Sequence, residues 1–201
     1  YTGLLATGKS NYPITGINAS LPATQAASLI STYRVGESSP LGVVSWLGYG
    51  STNVTEFYIN IWKIDSKTGD WSLTHHSPEN KALLQGGTSP KWHFYELAEP
   101  IAVVAGEEYG FELAPVGSGT HYVRGYSTSD QIPDHPYAKI VKLAATRNNT
   151  TDGNSPPSTI AEGDLPRSAH VGWMEGAIDT GNQPGRHDPI EIYMTESGTS
   201  P

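Results

Sequence analysis

Residues 55–76 read TEFYINIWKIDSKTGDWSLTHH. Phe57, Ile59 and Ile61 alternate with Tyr58, Asn60 and Trp62, a period of two in β-branched and aromatic residues. DSKTGD (65–70) supplies turn residues, with Gly69 free to take a left-handed position. WSLTHH (71–76) is then the returning strand, and the whole stretch reads as a β-hairpin.

The same pattern extends both ways. LISTYRV (29–35) and PLGVVSWLGYG (40–50) are strands, the latter with Val43, Ser45 and Leu47 on one face and Val44 and Trp46 on the other. KWHFYELAEPI (91–101) is a strand ending near Pro100, and 101–104 lead to a turn at Ala105-Gly106. In GEEYGFELAPVGSGTHYVRGY (106–126), Tyr109, Phe111 and Leu113 alternate with Gly110, Glu112 and Ala114. His121, Val123 and Gly125 alternate with Tyr122, Arg124 and Tyr126. The Gly117-Ser118-Gly119 turn between them is therefore expected to be a hairpin tip. It is no nucleophile elbow, since the order is V-G-S-G-T with no helix after it, and it lacks the Lys and helix start of a phosphate cradle. VGWMEG (171–176) and PIEIYMTE (189–196) read as the last two strands.

At least eight short strands separated by Gly, Pro and Asn turns predict an all-β fold, an antiparallel β-sandwich or jelly roll; a sandwich of this kind resembles galactose-binding-like modules. Its two sheets are expected to bury Phe57, Ile59, Ile61, Val103, Phe111, Leu113 and Ile192. Residues 1–28 are expected to form an extended N-terminal connector, and 29–201 a single sandwich domain with a long irregular loop at about 144–170.

The composition fits. The 201 residues include 22 Gly, 15 Pro, 11 Tyr and 5 Trp, with only 16% charged. That is rich in turns yet has ample aromatic surface to bury. The net charge of −8, with no Lys or Arg cluster, gives no grip on nucleic acid or anionic lipid. No apolar run approaches the roughly 20 residues that span a bilayer. No cysteine is present, which removes thiolate chemistry, cysteine-bound zinc and disulfides. The chain opens on Tyr1 rather than Met, as expected of a fragment or processed product.

Catalytic and metal readings find little support in the spacing. The seven histidines form no H-E-x-x-H and no zinc spacing. His75 and His76 point to opposite faces of a strand, whereas His93 and Tyr95 share one. Asp134-His135-Pro136 and His187-Asp188-Pro189 read as turn chemistry. We therefore expect no catalytic residue, no metal ligand and no cofactor. The five Trp suit a sugar site, where a ring face covers C–H bonds and polar neighbours take hydroxyls. Ordinary core or sheet-edge packing is the alternative for each. The ligand-contact candidates are Trp71, Trp92, Arg124, Tyr126 and His135, expected to converge on one rim or exposed face. For Arg124, the alternative is pairing with Glu112 across the hairpin.

Taken in order, FYINIWKIDSKTGDWSL (57–73), ELAEPIAVVAGEEYGFELAPVGSGTHYVRGY (96–126) and IPDHPYAKIVKLAATRNN (132–149) resemble a β-sandwich domain in minor tail proteins of bacteriophages that infect Actinobacteria. The likeness covers about half of the chain. It implies a non-catalytic virion component acting in host-surface polysaccharide recognition or tail assembly. Its expected partners are other tail subunits or a host cell-surface glycan, with a possible homotrimer, no nucleic acid and no membrane insertion. The location implied is the virion, or otherwise the extracellular space. The alternative is a carbohydrate-binding module of a secreted bacterial enzyme.

Overall fold

The computed structural model of the chain describes residues 19–35, 38–50, 52–84, 87–125, 138–139, 145–151, 155–164 and 190–194. Eight main strands carry the fold: β1 Ala19–Ala23, β2 Ser28–Val35, β3 Ser39–Tyr49, β4 Val54–Ile64, β5 Trp71–His76, β6 Lys91–Val103, β7 Glu108–Gly117 and β8 His121–Gly125. Four short ones follow: β9 Ala138–Lys139, β10 Ala145–Arg147, β11 Thr159–Ile160 and β12 Ile190–Met194.

The pairing is antiparallel throughout. The front sheet runs β1-β8-β3-β6, and the back sheet runs β2-β7-β4-β5. That alternation of sheets along the chain is the jelly-roll topology, two Greek keys wrapped into a sandwich. The short strands extend it. β12 pairs with β3 beside β8, β9 and β10 pair with β2, and β11 pairs with β5. Among the described residues no helix is long and apolar enough to cross a membrane.

The inner faces follow the strand alternation. Leu41, Val44 and Trp46 of β3, Tyr95, Leu97 and Val103 of β6, and Val123 of β8 meet Phe57, Ile59 and Ile61 of β4 and Tyr109, Phe111 and Leu113 of β7. Each such side chain contributes about 1.5–3 kcal/mol by leaving water. The expected core set is therefore buried, apart from Ile192, whose side chain lies outside the described residues.

Three expectations change. Ala19–Ala23, read as connector, is a strand because its backbone completes the edge of β8, from Ala19 opposite Gly125 to Ala23 opposite His121. The turn at 117–119 is not a hairpin tip. β7 belongs to the back sheet and β8 to the front, so the turn is an arch between sheets. Period-two patterning fixes which side chains point inward, but not whether consecutive strands pair with each other. The segment 144–170 is not wholly irregular, since β10 and β11 lie in it. VGWMEG lies outside the described residues.

A second, smaller apolar cluster covers the outer face of the back sheet. Ile30, Trp62, Ile64 and Trp71 pack there with Ile160 of β11. Trp71 reaches across β4 to β7. A methyl at Gly110 would lie 2.5 Å from its ring, so only glycine admits this packing.

Candidate functional site

Four aromatic side chains of the front sheet, Tyr49, Trp92, Phe94 and Tyr122, lie on its outer face. On β6, His93, Tyr95 and Leu97 are buried, so the alternate positions Trp92, Phe94 and Glu96 face out. On β3, Trp46 is inside and Leu47 and Tyr49 are outside. On β8, His121 and Val123 are inside and Tyr122 is outside. Register brings these positions together: Tyr49 lies opposite Tyr122, and Leu47 opposite Trp92. The Tyr49 and Tyr122 rings stack with centroids 5.2 Å apart and planes 15° apart. The Tyr49 hydroxyl donates to Ser20 Oγ at 3.1 Å, which ties the pair to β1. Phe94 is 48% exposed and Tyr122 37%, whereas Trp92, Leu47 and Tyr49 are half-buried. The result is a diagonal apolar strip across three strands.

Directly beneath lies a buried histidine cluster. The Trp46 indole Nε1 donates to His121 Nε2 at 2.9 Å. An indole N–H only donates, so His121 must carry its proton on Nδ1, which donates to the Gly50 carbonyl at 2.7 Å. His93 stacks on Trp46 and meets His121 edge-on at 5.3 Å. Its Nδ1 lies 2.8 Å from the Leu83 carbonyl and its Nε2 lies 3.2 Å from that of Gly48. Burial drives the His121 pKa down to about 4. The Gly50 bond opposes that shift and the nearby His93 adds to it. At the open side of the sandwich, His75 Nε2 meets the Tyr95 hydroxyl at 2.8 Å, bridging the sheets.

The back sheet carries a different polar group. Glu112 is fully buried and its two oxygens are saturated. Oε1 takes Arg147 Nε at 2.8 Å and the Ser28 hydroxyl, while Oε2 takes Asn60 Nδ2 at 2.8 Å and Trp62 Nε1 at 2.9 Å. Asn60 Oδ1 in turn lies 2.7 Å from His76 Nδ1. These donors hold a carboxylate in place; with both oxygens occupied, it has no lone pair aimed at an open cleft.

Two of the sequence candidates, Trp71 and Trp92, have described side chains, and they lie on different sheets. Trp92 is on the outer front face. Trp71 is on the other sheet and only 5% exposed, so the structure does not bring it to Trp92. Its neighbours in sequence are polar, but Ile160, from far along the chain, packs against it in the outer cluster. Arg124 stands on β8, its backbone opposite Ser20, in the front sheet. Glu112 is in the back sheet and takes Arg147, and β7 and β8 lie in different sheets, so no hairpin sets positions 112 and 124 side by side. The Arg124 side chain, Tyr126 and His135 lie outside the described residues. Tyr49, Tyr122 and Phe94, which share this outer face, were not among the candidates. Their outward parity was readable once His93, Tyr95, His121 and Val123 were assigned inward. No protein-family model matches the chain, and no curated protein matches it either.

Proposed function

We propose that the chain is a non-catalytic binding domain of a virion tail protein, engaging host-surface polysaccharide through the outer face of its front sheet. The observation that carries this reading is the stacked Tyr49–Tyr122 pair on the same face as Trp92 and the half-exposed Phe94. Flat aromatic surface covers the C–H faces of sugar rings. The row across three strands suits an extended chain rather than a single enclosed sugar. The net charge of −8 favours a neutral polymer over a polyanion. The saturated Glu112 and the doubly bonded His121 are occupied in holding the fold together. The tail assignment is supported by the resemblance of residues 57–147 to phage minor tail proteins.

The test is a glycan array and a host-cell adsorption assay with Trp92→Ala, Phe94→Ala and Tyr122→Ala, each checked by thermal melt. Loss of one ring is expected to weaken binding about tenfold, equivalent to about 1.4 kcal/mol. Unchanged binding by all three folded variants would remove the face from the reading. The same aromatic face serves the alternative of a carbohydrate-binding module. A hydrolase domain in the same open reading frame would favour that alternative, and neighbouring tail genes would favour the virion.

A further inference from the structure

We propose that His121 is a positioning residue for this face and its proton switch: neutral, it holds the Tyr49–Tyr122 pair stacked, and protonated, it releases the pair and the polysaccharide bound there. The inference rests on the reading of the aromatic face given above.

One imidazole anchors both tyrosines from below. It lies against Gly48, where an added methyl would sit 2.4 Å from Nε2. It also donates to the Gly50 carbonyl. His121 therefore touches the residue on each side of Tyr49 and is itself the chain neighbour of Tyr122. Protonation turns both ring nitrogens into donors. Nε2–H would then face the Trp46 indole N–H, donor against donor, where neither residue is exposed. A buried donor left without an acceptor is costly, so the ring must turn or the strand ends must lift. Either movement shifts 48–50 against 121–122. The groups in ring contact with His121 are His93 from β6, itself titratable, Trp46 from β3 and Phe57 from β4. The low pKa places the change near pH 4.

The experiment uses the whole chain. Imidazole resonances locate the titration of His121, and ring-to-ring nuclear Overhauser effects report the Tyr49–Tyr122 stack. Cosedimentation with purified actinobacterial cell-wall polysaccharide reports binding from pH 7 to pH 3.5. Binding is expected to stay level to about pH 5 and fall at least tenfold by pH 3.5, with its midpoint tracking His121. His121→Gln, whose amide oxygen accepts from Trp46 and does not titrate, is expected to bind with the same affinity at pH 7 and pH 3.5, whether or not that affinity equals that of the unsubstituted protein. Should that variant fail to fold, Trp46→Phe removes the opposing donor and is expected to move the midpoint upward. A persistent tyrosine stack while His121 titrates overturns the switch, and so does unfolding of the whole domain over the same range. Absence of binding at every pH, with the stack still lost in acid, leaves the switch standing and removes the polysaccharide reading.

Discussion

Arg147 Nε donates to Glu112 Oε1 at 2.8 Å, in an ion pair whose side chains are 6% and 0% exposed. The guanidinium also lies over the Trp62 ring, 5.8 Å from its centroid. The pair joins elements 35 residues apart in sequence. It fixes β10, and with it the start of the segment that covers the outer back sheet. Desolvating two charges is expensive, and this pair persists because Ser28, Asn60 and Trp62 supply the remaining hydrogen bonds.

Arg147→Met therefore leaves a buried carboxylate with neutral donors and no counter-charge. Unfolding in urea is expected to show a loss of about 3–5 kcal/mol. Adding Glu112→Gln should recover part of it, because the amide needs no cation. A single-variant loss below about 1 kcal/mol would mean that the three neutral donors hold Glu112 unaided.

Stability should fall on mild acidification, for a reason separate from the carboxylates. In the unfolded chain His121 titrates near the ordinary value of about 6.5. In the fold its pKa is about 4. Below pH 6.5 the unfolded state binds a proton that the native state refuses. Stability is thus complete above about 6.5, declines as pH falls toward 4, and levels off for this group below that. The span is worth roughly 3 kcal/mol. His75, lowered by burial and by His76, acts in the same direction. Urea midpoints at pH 7, 5.5 and 4 measure the effect, and a midpoint that holds steady or rises from pH 7 to pH 4 contradicts it.

The main strands were legible because inner and outer positions alternate along most of their length, with a break at the bulge between Leu41 and Val43. In β4, for example, Phe57, Ile59 and Ile61 point in while Tyr58, Asn60 and Trp62 point out. What covers an outer face was not legible. β11 is two residues long and β10 three, too short for any periodicity to show, yet Ile160 closes over Trp71 and Arg147 over Trp62. β1 was hidden for a similar reason. ASLPA has no alternation, and its strand character comes from β8. His121 read as a residue near a loop tip, and its burial under Tyr49 depends on an arch that the sequence could not distinguish from a hairpin.

Gly110→Ala tests the outer cluster directly. The new methyl would meet the Trp71 ring at 2.5 Å, and the ring is pinned by Ile64, Trp62 and Ile160. Overpacking of this kind costs about 1–3 kcal/mol. Thermal melts should show the loss, accompanied by a change in tryptophan emission as Trp71 is displaced. An unchanged melt and spectrum would show that the cover over Trp71 yields freely.

Trp71 and Trp92 should separate stability from binding. Trp71 is buried under β11, so Trp71→Ala opens a cavity and is expected to cost about 3–5 kcal/mol. Polysaccharide binding by the fraction that remains folded should be unaltered, because the back sheet carries none of the aromatic strip. Trp92 is half-buried on the front face, and its ring is in part already in contact with water. Trp92→Ala is expected to lower stability by less than Trp71→Ala, about 1–3 kcal/mol, and weaken binding about tenfold. Parallel urea titrations and cosedimentation assays on the two variants give the comparison. If Trp71→Ala abolishes binding at full folded occupancy while Trp92→Ala leaves it intact, the ligand surface lies on the back sheet and the front-face assignment is wrong.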